Sequence, residues 1–272
     1  MKRAAFTLVE LLVVISIIGL LSTIAIVSMA GSKDKAAIAA GLQFEASVQH
    51  AAGSEILADW EFDDGSGTTA SDTSGNGKNA TLTNGPTWRC ASTNKSYTPS
   101  GQGCVLNLDG VNDYVSTPAI SLGDGTISLW FNNQSSTSGD VILGKRTGGC
   151  FGSAVYVNPP NNLQIYNGGP ETAITNSLQP YKWYNLVVVR TGSGAEADFY
   201  LNGRPVLQNA YNISLNDLIA SIGSSCAGGN AFGGYIDNVR VYGIALGAAR
   251  IERLYAEEKS KYESPFYMAD RF

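Results

Sequence analysis

Between Leu11 and Ser32 the chain carries no charged side chain, and Leu11-Leu12-Val13-Val14-Ile15 and Ile17-Ile18-Gly19-Leu20-Leu21 are almost unbroken hydrocarbon. No other stretch limits the fold so strongly. Twenty-two residues wound as an α-helix at ~1.5 Å each reach about 33 Å, enough to cross a lipid core of ~30 Å. Lys2 and Arg3 precede the stretch. Basic residues stay on the cytoplasmic side, so the N-terminus is held inside and the rest of the chain is sent out.

Three readings fit such a segment. A secretory signal has a basic start, an apolar middle and a small-residue cut, which Ser28-Met29-Ala30 could supply. A plain anchor would simply remain in the bilayer. The third reading must explain Glu10, a carboxylate placed where the apolar stretch begins. In the first turn of a helix the dipole favours an anion by only ~0.3–1 kcal/mol. The neighbouring residues give a more specific reason.

The run Lys2-Arg3-Ala4-Ala5-Phe6-Thr7-Leu8-Val9-Glu10-Leu11-Leu12-Val13-Val14-Ile15 resembles the N-terminus of type IV prepilins and type II secretion pseudopilins. That family has a short basic leader, a cut before Phe and a Glu four residues beyond the cut. The resemblance implies that a prepilin peptidase cleaves between Ala5 and Phe6, that Phe6 is N-methylated, and that Glu10 pairs with the new α-amino group of a neighbouring subunit. Two positions depart from the family habit: Ala5 stands where Gly is usual, and Val27 stands where many pilins carry a helix-kinking Pro. The physics of the pairing is direct. A carboxylate among aliphatic side chains is costly unless compensated, and an ammonium from an adjacent helix offsets that cost while fixing axial register.

Between Gly31 and Ala52 the pattern stays helical but becomes amphipathic, through Ala36, Ala37, Ala40, Leu42, Phe44, Ala46 and Val48. Gly31 and Gly41 weaken it by ~1 kcal/mol each. One face of such a helix can lie on a globular domain as the helix leaves the lipid. His50, the only histidine, reads as a solvated residue near its end.

From about residue 55 the hydrophobic period becomes two. Strand-like segments are Ala58 to Phe62, Val105 to Leu108, Tyr114 to Ser116, Ile127 to Phe131, Val141 to Leu143, Ala154 to Val157 and Leu163 to Tyr166. They continue with Trp183 to Val189, Asp198 to Leu201, Pro205 to Leu207 and Tyr235 to Tyr242. Asn202-Gly203 supplies the positive φ of a tight hairpin. About a dozen short strands separated by Gly, Asn and Ser spell an antiparallel sandwich of about 200 residues. A charged fraction of 15%, well under the roughly 25% of an average soluble domain, suits a turn-rich β protein with a Ser, Thr, Asn and Gly surface. An amphipathic helix closes the sandwich from Ala248 to Lys259, with Ile251 and Leu254-Tyr255 as its apolar stripe.

Several of these segments resemble the laminin G-like, concanavalin A-type jelly rolls of bacterial surface proteins. They are Trp60 to Gly67, Asp72 to Gly77, Leu108 to Val115, Trp183 to Val187, Tyr200 to Gly203 and Gly234 to Tyr242, in the family's order. The resemblance covers nearly all of residues 55–256 and speaks to fold, since the fold hosts lectins, glycosidases and inert spacers alike. It also implies a structural Ca²⁺ between the Asp72–Asn79 loop and the last strand, with Asp72, Asn76, Asn79 and Asp237 as ligands. Hard cations want six to eight oxygens, and a Gly-containing loop lets backbone carbonyls converge. An Asx-turn beside a solvated Asp explains the same residues without an ion. Asp109, Asn112 and Asp113 read first as a turn joining two strands.

Asp59, Glu61 and Asp63 alternate along the first strand segment, as catalytic carboxylates do in retaining glucanases of this fold. Such a pair must stand about 5–5.5 Å apart. The glucanase order is Glu, Asp, Glu on a central strand, whereas here it is Asp, Glu, Asp on the first. Trp60 and Phe62 turned to the core would send their neighbours to water, and no enzyme is expected. The four cysteines lie beyond the apolar segment, where disulfides persist. Of three connectivities, Cys90–Cys104 and Cys150–Cys226 are expected, the first closing a Ser/Thr/Asn/Gly-rich excursion and the second tying two glycine-rich loops. The formal charge of −5, from 18 basic and 23 acidic residues, repels phosphates and argues against nucleic acid. Tyr156, Tyr166, Tyr181 and Tyr211 are candidate stacking surfaces for sugar rings.

The sequence therefore predicts an α+β chain: leader 1–5, a long, partly transmembrane α-helix 6–52, an antiparallel jelly-roll sandwich 55–262 ending in a short helix, and a tail 263–272. Before assembly it sits in the cytoplasmic membrane, N-terminus inside; afterwards it belongs to a filament at the cell surface. The expected role is a minor or tip subunit whose sandwich recognises carbohydrate or a surface protein. The rival roles are a type II secretion pseudopilin contacting cargo, and an anchored or secreted lectin without a filament.

Overall fold

The computed structural model describes residues 55–262 except 92–96, 99, 135–139, 145–151, 159–161, 192–195, 211 and 225–229. Of the N-terminal segment it describes residues 12, 13 and 15–17, all helical. The helix expected over 6–52 otherwise lies outside the described residues, as does the tail 263–272. Residues 1–54 and 55–272 form separate compact units.

The second unit is a two-sheet antiparallel sandwich. Its strands are β1 (Ile56–Trp60), β2 (Thr69–Ala70), β3 (Ala80–Thr83), β4 (Thr87–Cys90), β5 (Cys104–Asp109), β6 (Tyr114–Ser116), β7 (Gly125–Asn133) and β8 (Asp140–Gly144). They continue with β9 (Ala154–Asn158), β10 (Asn162–Tyr166), β11 (Thr172–Thr175), β12 (Trp183–Arg190), β13 (Ala197–Leu201), β14 (Arg204–Ala210), β15 (Ser221–Ile222) and β16 (Gly233–Tyr242). Two helices complete it, α1 (Leu215–Ile219) and α2 (Ala248–Tyr262). One sheet runs β14-β13-β12-β7-β16-β5-β4, with β1 also on β16; the other runs β11-β10-β9-β8-β15-β6-β3-β2.

Alternation decides what each face does. Ile127, Leu129 and Phe131 of β7, and Leu186 and Val188 of β12, enter the core between the sheets, beside Trp60, Phe62 and Phe232. Their outward neighbours are not solvated. Val187, Val189, Tyr200 and Tyr242 pack with Ile251 and Leu254 of α2, and Trp130, Trp183 and Val105 pack with Tyr262 at the end of that helix. The middle of the first sheet is thus buried on both faces, which is why β7 and β12 read as near-continuous apolar runs.

The central strand β16 changes partner half-way. Gly233 to Ile236 pair with β5, and Val239 to Tyr242 pair with β1. The changeover is a bulge: the register against β7 shifts between Asp237 and Arg240, and Asn238 takes a φ of +45°. An extra residue restores the alternation that would otherwise invert. Ile236, Val239 and Val241 can therefore all enter the core, while Asp237 and Arg240 both meet residues of α2.

Candidate functional site

Three groups of residues were candidates for chemistry, and the fold separates them. The loop after β2 is organised by Asp72. Its Oδ1 accepts from the backbone N–H of Asp59 at 3.0 Å and of Ser74 at 3.0 Å, and its Oδ2 from that of Lys78 at 2.7 Å. Burial pushes the Asp72 carboxyl up, but these bonds and the Ser74 side chain outweigh it and hold the group below its usual value. Asn79 Oδ1 accepts from the Asp72 N–H at 2.9 Å, and the Asn76 amide donates to the Ile56 carbonyl at 2.8 Å. Asp72, Asn76 and Asn79 are thus brought together, pinning a loop with positive φ at Gly75 and Gly77 onto β1.

Asp237 keeps different company. Its carboxylate, with no exposure to solvent, accepts from the Tyr262 hydroxyl at 2.7 Å and lies 2.9 Å from the Lys261 ammonium. Its second oxygen accepts from the Asn238 N–H at 3.0 Å. With Asp72 satisfied by amides, Asn76 donating to a carbonyl and Asp237 holding an ammonium, the four expected ligands do not fit a calcium shell in this arrangement. Among the described residues no group of three or more His, Cys, Asp or Glu is placed to hold a metal. Asp109 and Asp113 form the expected turn: Asp109 Oδ1 accepts from Val111 N–H at 2.8 Å, and Asp113 Oδ2 from Asp109 N–H at 3.1 Å.

The alternating carboxylates part company as well. Strand β1 ends at Trp60, so Glu61 and Asp63 lie beyond it. Trp60 and Phe62 are buried as expected, but Asp59 does not face water. Its Oδ2 lies 2.9 Å from Arg240 Nε, and Arg240 also pairs with Glu258 of α2. Glu258 in turn accepts from the Trp130 indole N–H at 2.6 Å. Burial raises the Asp59 carboxyl, with Arg240 opposing. The reasoning from sequence missed this cluster because it left the outer face of the sheet uncovered. The available signal was Arg240 itself, a charge set among the apolar residues of the last long strand.

Asp63 is tied to the disulfide region. Its Oδ1 accepts from Cys104 N–H at 2.6 Å and lies 3.8 Å from Lys261 Nζ. A side chain at Gly103 would meet that carboxylate at 2.5 Å, and Gly103 has φ +71°, so a larger residue there would be strained and would displace Asp63. With Ser100, Gln102 and Ser260 these residues line an open cleft of about 330 Å³. The Cys90–Cys104 disulfide is formed, between directly opposed residues of β4 and β5. Closing a loop of this length is worth ~3 kcal/mol on the chain-entropy estimate. Cys150 and Cys226 lie outside the described residues, as do Ala5, Phe6, Glu10, His50 and Tyr211. No helix among the described residues is long and apolar enough to cross a membrane.

The aromatic candidates differ sharply. Tyr156 is buried in a small cluster with Val141 and Ala154, and Tyr166 is half-buried against it. Tyr181 is 62% exposed and sits at φ +61°, a conformation that costs a non-glycine residue on the order of 1–2 kcal/mol.

The model of the concanavalin A-like lectin/glucanases superfamily matches residues 109–252, more than half of the chain. The chain belongs to that superfamily. The prokaryotic N-terminal methylation motif matches residues 1–26. A search of curated proteins finds no match. Solved structures share this superfamily member's fold at low identity. Domain 4 of an extracellular arabinanase from Geobacillus stearothermophilus, in complex with arabinotriose, aligns with TM-score 0.55 and 17% identity over 74% of this chain and 98% of that one. A Trypanosoma rangeli sialidase mutant displaying trans-sialidase activity aligns with TM-score 0.59 and 14% identity over 77% of this chain and 34% of that one. The binding domain of botulinum neurotoxin serotype D aligns with TM-score 0.55 and 11% identity over 76% and 53%. The lectin-like chain spans about a third of the sialidase.

Proposed function

We propose that the protein is a type IV pilin-like filament subunit, without catalytic activity, that presents its jelly roll as a carbohydrate-recognition module at the cell surface. One observation carries this reading: a methylation motif over residues 1–26 and a lectin-type sandwich occupy the same chain. The motif brings with it a prepilin peptidase acting between Ala5 and Phe6, passage through the cytoplasmic membrane and assembly with other pilin subunits. The sandwich brings an outward-facing acidic, turn-rich surface, and its structural relatives include a domain solved with arabinotriose. A minor or tip position suits so large a displayed domain.

The non-catalytic reading is supported by how three acidic residues are used. Asp59 is committed to Arg240, Asp72 to backbone amides, and Asp237 to Lys261 and Tyr262. None forms a pair of opposed, accessible carboxyls.

The test is Glu10→Leu. A carboxylate that pairs with a neighbour's α-amino group is needed for docking into the filament and not for insertion into lipid. The variant should fractionate with membranes as the wild type does, yet be depleted at least about tenfold from sheared filaments. Equal recovery in filaments would defeat the assembly reading.

A further inference from the structure

Eight described residues other than glycine have a positive φ. Six are asparagines, Asn84, Asn202, Asn209, Asn212, Asn230 and Asn238, whose short polar side chains tolerate the left-handed region. The other two are aromatic, and a bulky residue there is an outlier that something must stabilise. For Phe62 the compensation is in the fold: its ring is 1% exposed and belongs to the central core. Tyr181 has no such burial. The ring is mostly in solvent, where Asn or Gly would hold the same turn with less strain.

The backbone around it is nevertheless firmly placed. Tyr181 N–H donates to the Asn133 carbonyl at 2.9 Å, and Gln179 N–H donates to the Tyr184 hydroxyl at 2.8 Å. The ring thus stands on a turn fixed to β7 and β12. Exposed Gln179 and Lys182 flank it, and Lys182 Nζ lies 5.9 Å from the centre of the Tyr184 ring. An exposed aromatic on a fixed and strained turn, with two exposed polar residues close by in the chain, is a contact surface whose backbone is placed before its ligand arrives.

We propose that Tyr181 is a saccharide-stacking residue of this module, with Gln179 and Lys182 as hydrogen-bond donors to the sugar's hydroxyls. This rests on the carbohydrate-recognition reading above. The chemistry favours a sugar over a protein surface. A sugar ring sets its C–H edges against the π face of one aromatic ring and directs its hydroxyls outward to polar neighbours. A contiguous apolar patch is the usual mark of a protein-docking surface, and among the described residues of the sandwich the other large exposed apolar side chains are Val111, on a turn, and Val206, on β14.

The experiment uses the full-length chain in detergent on an array of neutral and sialylated oligosaccharides, with melting measured in parallel. Tyr181→Asn removes the ring and suits the left-handed turn. It should weaken binding to the recognised glycans at least about tenfold and raise Tm by about 2–4 °C. Tyr181→Phe keeps the ring and should bind like the wild type. Wild-type binding left intact in Tyr181→Asn would overturn the assignment while leaving carbohydrate recognition standing. A Tm that stays the same or falls in that variant would overturn the strain argument, and binding of no glycan by the wild type would overturn both readings.

Discussion

The ammonium of Lys261, in the last turn of the C-terminal helix, lies 2.9 Å from Oδ2 of Asp237, a wholly buried carboxylate at the bulge of the central strand. This contact joins the two features that give the outer face its shape. The bulge turns Asp237 and Arg240 toward one side of the sheet, and α2 brings Lys261, Glu258 and Tyr262 to meet them.

That contact has a pH signature. Burial pushes the Asp237 carboxyl up to about 7, against the pull of Lys261 and Tyr262 and with a small push from Asp63. In the unfolded chain the same group loses its proton near 3.8. Between those values the folded state holds more protons than the unfolded state. The Asp237 contribution is therefore fully present below about pH 4 and is lost as pH rises through about 7. Asp59 is raised by burial and acts in the same direction. Melting followed from pH 5 to pH 8 should show Tm falling as pH rises, and Asp237→Asn should flatten the fall. A profile in Asp237→Asn as steep as in the wild type would remove Asp237 as its source.

The loop at Asp72 should stand without metal. Three backbone amides supply the neutralising contacts that a cation would otherwise provide. Incubation with EDTA should leave Tm unchanged, and Asp72→Ala should lower stability by about 1–3 kcal/mol in metal-free buffer, because it strands those donors. A Tm that falls with EDTA and recovers with Ca²⁺ would restore calcium to this loop.

The long strands were legible because apolar residues dominate or alternate over most of β7 and β12, and β16 keeps an alternation on each side of its bulge. Strands β2, β3, β4, β11 and β15 were not read. Thr87-Trp88-Arg89-Cys90 and Thr69-Ala70 are too short and too polar to carry a period, and they exist because longer neighbours offer them hydrogen-bonding edges. Helix α1 was also passed over, although Ser214 caps it by accepting from Asp217 N–H at 3.3 Å, a recognisable start signal. The Cys90–Cys104 bond was readable from spacing. The solvated role given to Asp59 failed for a tertiary reason: period two says which side of a strand a residue takes, and nothing about a helix that arrives from residue 248 onward to cover it. Tyr181 could be named as a candidate, but the sign of its φ, which sets it apart from Tyr156 and Tyr166, is invisible in the sequence.

The central claim is that the sandwich is delivered to the surface as a processed pilin-like subunit. It is tested most directly by mass spectrometry of the N-terminal peptide of the protein recovered from filament-bearing cells. The account predicts a mature chain beginning at Phe6 with one added methyl group on its α-nitrogen. A chain that still begins at Met1, or one that begins at Gly31 after signal-type cleavage, would contradict it.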